Sequence, residues 1–531
     1  MDYLIVGAGP AGLQLGYFLE KAGRDYLILE AGEDAGRFFE TFPRHRTLIS
    51  INKPHTGSSD SEVNLRMDWN SLLSDDPELL FTKYSSRYFP PADEMVRYLR
   101  DFARAHHLKI RTGCRVQRVS RDDDGFVLHT EAGEEFRTPR LIVATGVSKP
   151  NIPDIPGIEL AENYTNMPVD PLGFVNQRVL ILGKGNSAFE TADNLIETAA
   201  VIHVAGPSSI RFAWRTHYVG HLRAVNNNFL DSYQLKSQNA LLDGKAIGIE
   251  RKDEGFEVSF SFSRANEIVK NLYYDRVLVC TGFRFDADIF DESCRPTLTI
   301  RDRFPLQTAE WESVNVPGLY FAGTLMQARD FKKSTGGFIH GFRYGVRALS
   351  HILEDKYEGV PWPARALAVN PEEMTMAVLE RVNRTSGLWQ QFAFLCDVLT
   401  VDEAAAHYAE EMPMDYVHEG EVGRADHYFT ISLEYGPNHD SVDPFDIEIG
   451  RARQNDAATA HEGHYLHPVV RCYIGGILHA THHVAENLEN EWDRPSQYQA
   501  LTEFFSSMVS ASMVSASNHN DTATEPEESM A

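Results

Sequence analysis

Two short stretches carry residues whose types and spacing suit nucleotide chemistry. In "DYLIVGAGPAGLQLGYFL", Gly7, Gly9 and Gly12 follow an apolar run and precede a helical pattern; in "VLILGKGNSAFETADNL", Gly183, Gly185 and Ala188 do the same. The first glycine of such a turn permits a tight bend. The second lets backbone approach a pyrophosphate, and the third allows close helix–strand packing, with the helix N-terminus facing the phosphate charge. Glu30 ends the strand after the first helix, eighteen residues beyond Gly12. A carboxylate there can accept the ribose hydroxyls of an adenosine. The expected binding set at this turn is Gly7, Gly9, Pro10, Ala11, Gly12, Glu30 and Ala31.

The second turn contributes Gly183, Gly185, Asn186, Ser187 and Ala188. The strand that follows it ends in Ala205 and Gly206, where an acid would otherwise stand. That absence removes a repulsion a 2′-phosphate would feel. Arg211 and Arg215 lie a few residues on and are candidates to pair with it, so NADPH is expected over NADH. Two nucleotide turns in one chain imply a bound flavin, FAD, and a nicotinamide that reduces it.

The elements that must position these groups follow from the apolar runs. "RLIVATG", "RVLVCTG" and "GLYFAGT" read as further strands whose ends, Thr145-Gly146, Thr281-Gly282 and Gly323-Thr324, mark backbone close to a ligand. "STGGFIHGFRYGVRALSHIL" reads as a helix that aims Gly336 and Gly337 at the flavin. The expected fold class is α/β: two dinucleotide-binding, Rossmann-like domains, the NAD(P) domain inserted in the FAD domain, plus a mostly helical α+β extension. The expected boundaries are 1–155 and 305–364 for the FAD domain, 156–304 for the NAD(P) domain, 365–500 for the extension, and a disordered tail over 501–531.

Composition narrows the class. The chain has 531 residues, is 43% hydrophobic and carries a net charge of −26, which gives ample core for several domains and argues against a nucleic-acid partner. No apolar run of about 18 residues suggests a membrane helix. Cys114, Cys280, Cys294, Cys396 and Cys472 are scattered and form no C-x-x-C pair. A reducing compartment is therefore expected, and an internal dithiol relay beside the flavin is not. The first strand starts at about Asp2 and the last residues are "PEESMA", so neither a signal peptide nor a retention signal is expected, and the cytoplasm is the default.

The two glycine turns, "GRFF" after Glu30, "SINKP" followed by "MDW", and "ATG" resemble the flavin-containing monooxygenase superfamily. "FPRHRTLISINKPHTG", "DWNSLLSDDPELLF", "THYVGHLRAVNNNFLDSYQLKS", "GGFIHGFRY" and "GVPWP" resemble, more specifically, the FAD-dependent oxidoreductase domain-containing family, which includes a flavoprotein of the endoplasmic reticulum. The likeness covers most of residues 2–365 and thins out to about 490. The monooxygenase linker fingerprint F-x-G-x-x-x-H is missing from "IELAENYTNMPVD", whereas "DRVLVCTGF" is similar to a pattern of N-hydroxylating relatives, with Cys280 for Ala and Phe283 for Tyr.

The resemblance implies an FAD-dependent, NADPH-reduced monooxygenase-like enzyme that acts on a nucleophilic N or S of a small molecule through a C4a-hydroperoxyflavin. It also implies that Asn52 sits over the flavin, where an amide donates to the distal peroxide oxygen. Lys53, His217 and Asn227 join Asn52 as catalytic candidates. Phe38, Phe39, Arg44, Thr145, Gly146, Arg211, Thr281, Gly282, Gly323 and Gly337 complete the cofactor set. A small nucleophilic substrate and molecular oxygen are the expected partners, with no nucleic acid, no membrane, and a homodimer as the assembly considered. Two alternatives stay open: an NAD(P)H oxidase or reductase with a separate acceptor, and a flavin-bearing protein-interaction adaptor. His461, His464, His467, His479, His482 and His483 follow no compact ligand pattern, although His483 and Glu486 would share a helix face; no metal is expected.

Overall fold

A computed structural model describes residues 1–234, 239–402, 404–437, 439–443, 446–453 and 456–521. The chain divides into two compact units. The first comprises 1–57 and 67–346, the second 58–66 and 347–531.

The first unit is built on two parallel five-stranded sheets. One runs Leu319–Phe321, Arg140–Val143, Tyr3–Val6, Tyr26–Leu29, Ile110–Arg111 across the sheet, every pair parallel. All four residues of Tyr3–Val6 are buried, as expected of a central parallel strand covered on both faces. The other sheet runs Ala240–Leu242, Val201–Ala205, Arg178–Leu182, Arg276–Val279, Glu162–Asn163, also parallel throughout. Each has a three-stranded antiparallel partner, Val116–Thr138 for the first and Lys245–Tyr274 for the second. The apolar strands expected at each glycine turn are thus present, and each turn lies at the carboxyl end of a central strand, the place where open α/β sheets bind ligands.

The second unit corrects two expectations. The extension is α+β, but it is organised by a six-stranded antiparallel sheet rather than by helices: Ala364–Leu367, Ala406–Pro413, Leu395–Val401, His427–Glu434, His467–Ile474, Ile477–His483 in spatial order. The segment read as a helix around His479–Glu486 forms instead the second strand of a hairpin turning at Gly475-Gly476, both at positive φ. His483 and Glu486 therefore share no helix face. His483 Nδ1 lies 2.9 Å from His467 Nε2 across the strands, while the Glu486 carboxylate accepts the Tyr465 N–H at 2.7 Å. The tail expected to be disordered is helical: Pro495–Asp521 is one helix, and Leu501, Phe505 and Val509 are buried along one of its faces. Residues 522–531 lie outside the described residues.

Candidate functional site

Both glycine turns have the geometry their sequence implies. At the first, Gly7 takes φ +107°, and a Cβ on it would stand 2.9 Å from the Ala144 carbonyl oxygen. A Cβ on Gly12 would stand 1.9 Å from the Gly7 carbonyl oxygen, so the helix packs onto the turn only because no side chain intervenes. At Gly9, by contrast, an added Cβ meets nothing within 4 Å. Gly9 caps the helix Pro10–Lys21 with no side-chain acceptor, which leaves first-turn N–H groups for an anion. This cradle, tight below and open above, fits a pyrophosphate.

Glu30 is buried, and its two oxygens accept the Ala8 N–H at 2.8 Å and the Gly32 N–H at 2.7 Å. A carboxylate offers about four acceptor positions, so Glu30 both pins the turn and keeps capacity for ribose hydroxyls. The Ala31 carbonyl accepts from Arg37 at 3.1 Å. Gly323 closes against Ala11, where an added Cβ would meet the alanine methyl at 2.5 Å, which brings the last strand of the sheet to the start of the helix. The Thr145-Gly146 corner is open at Gly146.

The second turn repeats the pattern. A Cβ on Gly183, at φ +125°, would stand 2.2 Å from the Cys280 carbonyl oxygen, and Gly185 is open like Gly9. Gly185 again caps its helix, Asn186–Leu195, without a side chain, and Ala188 is fully buried beneath it. The Ser187 carbonyl accepts from Thr191 at 2.8 Å, and Thr281 donates to the Asn151 carbonyl at 2.5 Å, beside Gly282 at φ +84°. At the end of the next strand, a Cβ added to Gly206 would stand 3.4 Å from the Lys184 side-chain stem. Lys184 donates to the Ser208 carbonyl at 3.0 Å and pairs with Asp243. A cation therefore stands where an acid would select against a 2′-phosphate. The sequence reading passed over Lys184, although its position inside "GKGNSA" was the available signal. Arg211, the cation named instead, is exposed.

Several named side chains are engaged elsewhere. Asn186 Nδ2 donates to the carbonyls of Gly220 and His221 at 3.3 and 2.9 Å, and its Oδ1 accepts from the Arg223 N–H and Asn226 Nδ2 at 2.9 and 3.2 Å. Its side-chain amide is saturated and clasps the loop 217–227, which leaves its backbone N–H in the helix's first turn. In that loop Asn226 is buried and Asn227 is exposed. His217 terminates the short helix Ala213–Thr216 at φ 54°. The Arg44 guanidinium donates to the Met167 carbonyl at 2.6 Å and its backbone N–H to Tyr164 Oη at 3.0 Å, while its Nε has no partner among the described residues. Phe38 is 48% exposed and packs on Phe39 and Phe42. Lys53 is exposed.

Asn52 is 1% exposed, and its Nδ2 donates to the carbonyls of Ser85 at 2.5 Å and Arg87 at 3.3 Å. Both donors are spent, which overturns its expected role as a donor to a peroxide. The atom left without a partner is its acceptor, Oδ1.

Around the turns lies a set the sequence did not single out. Tyr218 donates to Gln327 Oε1 at 3.2 Å, and Gln327 packs so tightly on Gly337 that a Cβ there would meet it at 2.7 Å. Asp330 is buried, and burial raises its carboxyl to about 6; its Oδ2 accepts the Gly336 N–H at 3.0 Å. Glu190, on the second turn's helix, is raised by burial to about 7 although the Tyr164 hydroxyl donates to it. These two acids had no motif to mark them; only burial sets them apart.

The five cysteines are all buried and form no disulfide. Burial raises every thiol, Cys280 and Cys472 to about 12 and Cys294 to about 11. Cys472 has a histidine neighbour, with Sγ 3.4 Å from His427 Nε2, but burial lowers that imidazole to about 4, so it supplies no charge to make a thiolate.

Comparison with known proteins gives concordant matches. Residues 4–323 match the family described as pyridine nucleotide-disulphide oxidoreductase. The mouse FAD-dependent oxidoreductase domain-containing protein 2 is 40% identical over 547 aligned positions, covering 93% of this chain and 82% of the mouse protein. Among solved structures, the bacillithiol disulfide reductase of Staphylococcus aureus and a flavin-containing monooxygenase of Stenotrophomonas maltophilia each align with a TM-score of 0.51 at 19% identity. Each covers 67% of this chain, and 99% and 98% of their own chains respectively. At that identity they speak for the two-domain fold.

Proposed function

The chain belongs to the pyridine nucleotide-disulphide oxidoreductase family, with the FAD-dependent oxidoreductase domain-containing proteins as its relatives, and from this premise we propose that it is an NADPH-dependent oxygenase of a small nucleophilic molecule. It is an oxidoreductase that uses FAD and a pyridine nucleotide. The observation that carries the finer reading is the state of its thiols: five buried, unpaired cysteines, each held far above the pH at which a thiolate forms. An internal dithiol relay is incompatible with them. The overall reaction would then be substrate, O2, NADPH and a proton giving the N- or S-oxygenated product, water and NADP⁺.

Bound FAD supplies the electron transfer and oxygen activation. The chain's own residues do the rest. The open first-turn N–H groups after Gly9 and Gly185 receive the two pyrophosphates, and Glu30 takes ribose hydroxyls with its remaining acceptor positions. Lys184, beside Gly206, supports NADPH over NADH. Asn52 Oδ1 offers a buried acceptor to a donor N–H. A reducing compartment suits the free thiols.

The reading is tested by reducing the purified yellow protein anaerobically with NADPH, then admitting oxygen in the presence of candidate amines and thioethers. Oxygenated product in proportion to NADPH consumed supports it. Quantitative hydrogen peroxide with every compound would assign an oxidase instead, and a flavin that NADPH never bleaches would leave the adaptor. Gly185→Ala places a methyl in the open cradle; we expect it to keep its flavin and its reduction by dithionite, while reduction by NADPH slows at least about tenfold.

A further inference from the structure

Arg223 contrasts with two buried arginines of the chain. Arg343 donates to the carbonyls of Asp68 and Ser71, and Arg381 pairs with Asp397 and Glu411. The guanidinium of Arg223 makes no ion pair and no hydrogen bond among the described residues. It lies over the Trp69 ring, 4.9 Å from its centroid. Its backbone is fixed, since its N–H is held by Asn186 at the start of the second turn's helix. The same Trp69 ring stacks on His340, with centroids 4.2 Å apart and 18° between planes. His340 is fully buried, and neither of its ring nitrogens has a partner. Phe338 stacks on His340, with ring centroids 5.9 Å apart. Trp69 follows Asp68, which bridges to Asn52, whose Oδ1 is the third unpartnered polar group.

Leaving a buried imidazole and a buried amide oxygen unpartnered costs free energy, and so does desolvating a guanidinium without a counter-ion. The meeting of Arg223 and His340 on one Trp69 ring, with Asn52 bridged to the residue before it, is the signature of a site whose complement is a ligand. We propose that Arg223, Trp69 and His340 form the substrate subsite, and that it takes a carboxylate-bearing molecule with a flat or apolar body. The carboxylate answers Arg223, the body lies against the aromatic rings, and His340 and Asn52 offer a donor and acceptors to a polar group on it. Trp69, His340 and Asn52 all belong to the flavin-binding part of the first unit, and the second turn already has Lys184 for its nucleotide; this favours a substrate carboxylate over a nucleotide phosphate as the anion at Arg223. The inference names the substrate class for the oxygenase proposed above and rests on that reading.

The test is binding to the FAD-loaded full-length protein, followed by perturbation of the flavin absorption band and by calorimetry. Phenylacetate, benzoate and hexanoate are each compared with the matching neutral amide. The expected result is that at least one acid perturbs the flavin and binds about tenfold or more tightly than its amide. Arg223→Gln should weaken that acid about tenfold to a hundredfold, leave the amide within twofold and leave NADP⁺ affinity within twofold. Arg223→Lys should restore part of the loss. Acids and amides binding alike in the unaltered protein, or no acid binding, overturns the proposal even if the variant does not fold. Loss of NADP⁺ affinity with acid binding unchanged also overturns it and assigns Arg223 to the nucleotide. Flavin bleaching by NADPH, measured on the same sample, reports separately on the oxygenase reading, which fails only if bleaching is absent.

Discussion

The contrast between Gly9 and Gly12 shows what a single hydrogen in place of a side chain does at two positions three residues apart: one leaves space for a ligand, the other lets helix and turn touch. Lys184 acts at the second turn, where its side-chain stem lies beside the glycine that replaces an acid and its ammonium pairs with Asp243. Lys184→Ala should raise KM for NADPH about tenfold and leave KM for NADH nearly unchanged, as read from initial rates of flavin reduction. Glu190 carries a pH signature. Its folded-state value of about 7 exceeds the ordinary 4.5 because burial disfavours its charge. Between those values the folded protein holds the proton more tightly than the unfolded chain, so stability falls as pH rises through that window and levels off above about 7. Glu190→Gln removes the ionisation. Its stability relative to the parent should rise by roughly 3 kcal/mol from pH 4.5 to pH 8 in urea titrations; equal profiles would mean the acid is not desolvated as described.

At the scale of elements, the Rossmann-like units were legible because each is local: an apolar strand, a glycine turn and a helix within about thirty residues. The hairpin His467–His483 was not read, although Gly475-Gly476 between apolar runs was an available turn signal. The helix Pro495–Asp521 was misread. Its small, polar repeat hides one apolar line, Leu501, Phe505 and Val509, whose burial depends on partners far away in sequence. Phe505 lies 5.0 Å from Phe429, and Thr502 hydrogen-bonds Thr375 at 3.1 Å. Phe505→Ala should cost the second unit about 4 kcal/mol, measured as a fall in its unfolding midpoint, whereas a tail that did not pack would show no change.

At the scale of the whole molecule, the chain divides into two compact units. The second holds its own buried charge network, in which Arg381 joins Asp397 at 3.1 Å and Glu411 at 2.7 Å, and Arg347 pairs with the same Glu411. Both nucleotide turns are in the first unit. Removing FAD should therefore lower one calorimetric transition and leave a second in place, because a ligand stabilises only the cooperative unit that binds it. A single transition that moves as a whole on flavin removal would show that the units unfold together. Among the described residues, no helix is long and apolar enough to cross a membrane.

The sequence by itself determined the two nucleotide turns, the strands that carry them, the acid at Glu30 and its absence at Gly206. All of these are set by a few neighbouring residues whose backbone geometry is local. Only the tertiary structure decided which polar atoms remain available. It spent the amides of Asn52 and Asn186 on backbone carbonyls and the Arg44 guanidinium on Met167, buried Glu190 and Asp330, and left Arg223 and His340 against Trp69. Hydrogen-bond saturation and desolvation depend on groups brought together from distant parts of the chain, and residue type and spacing do not encode them.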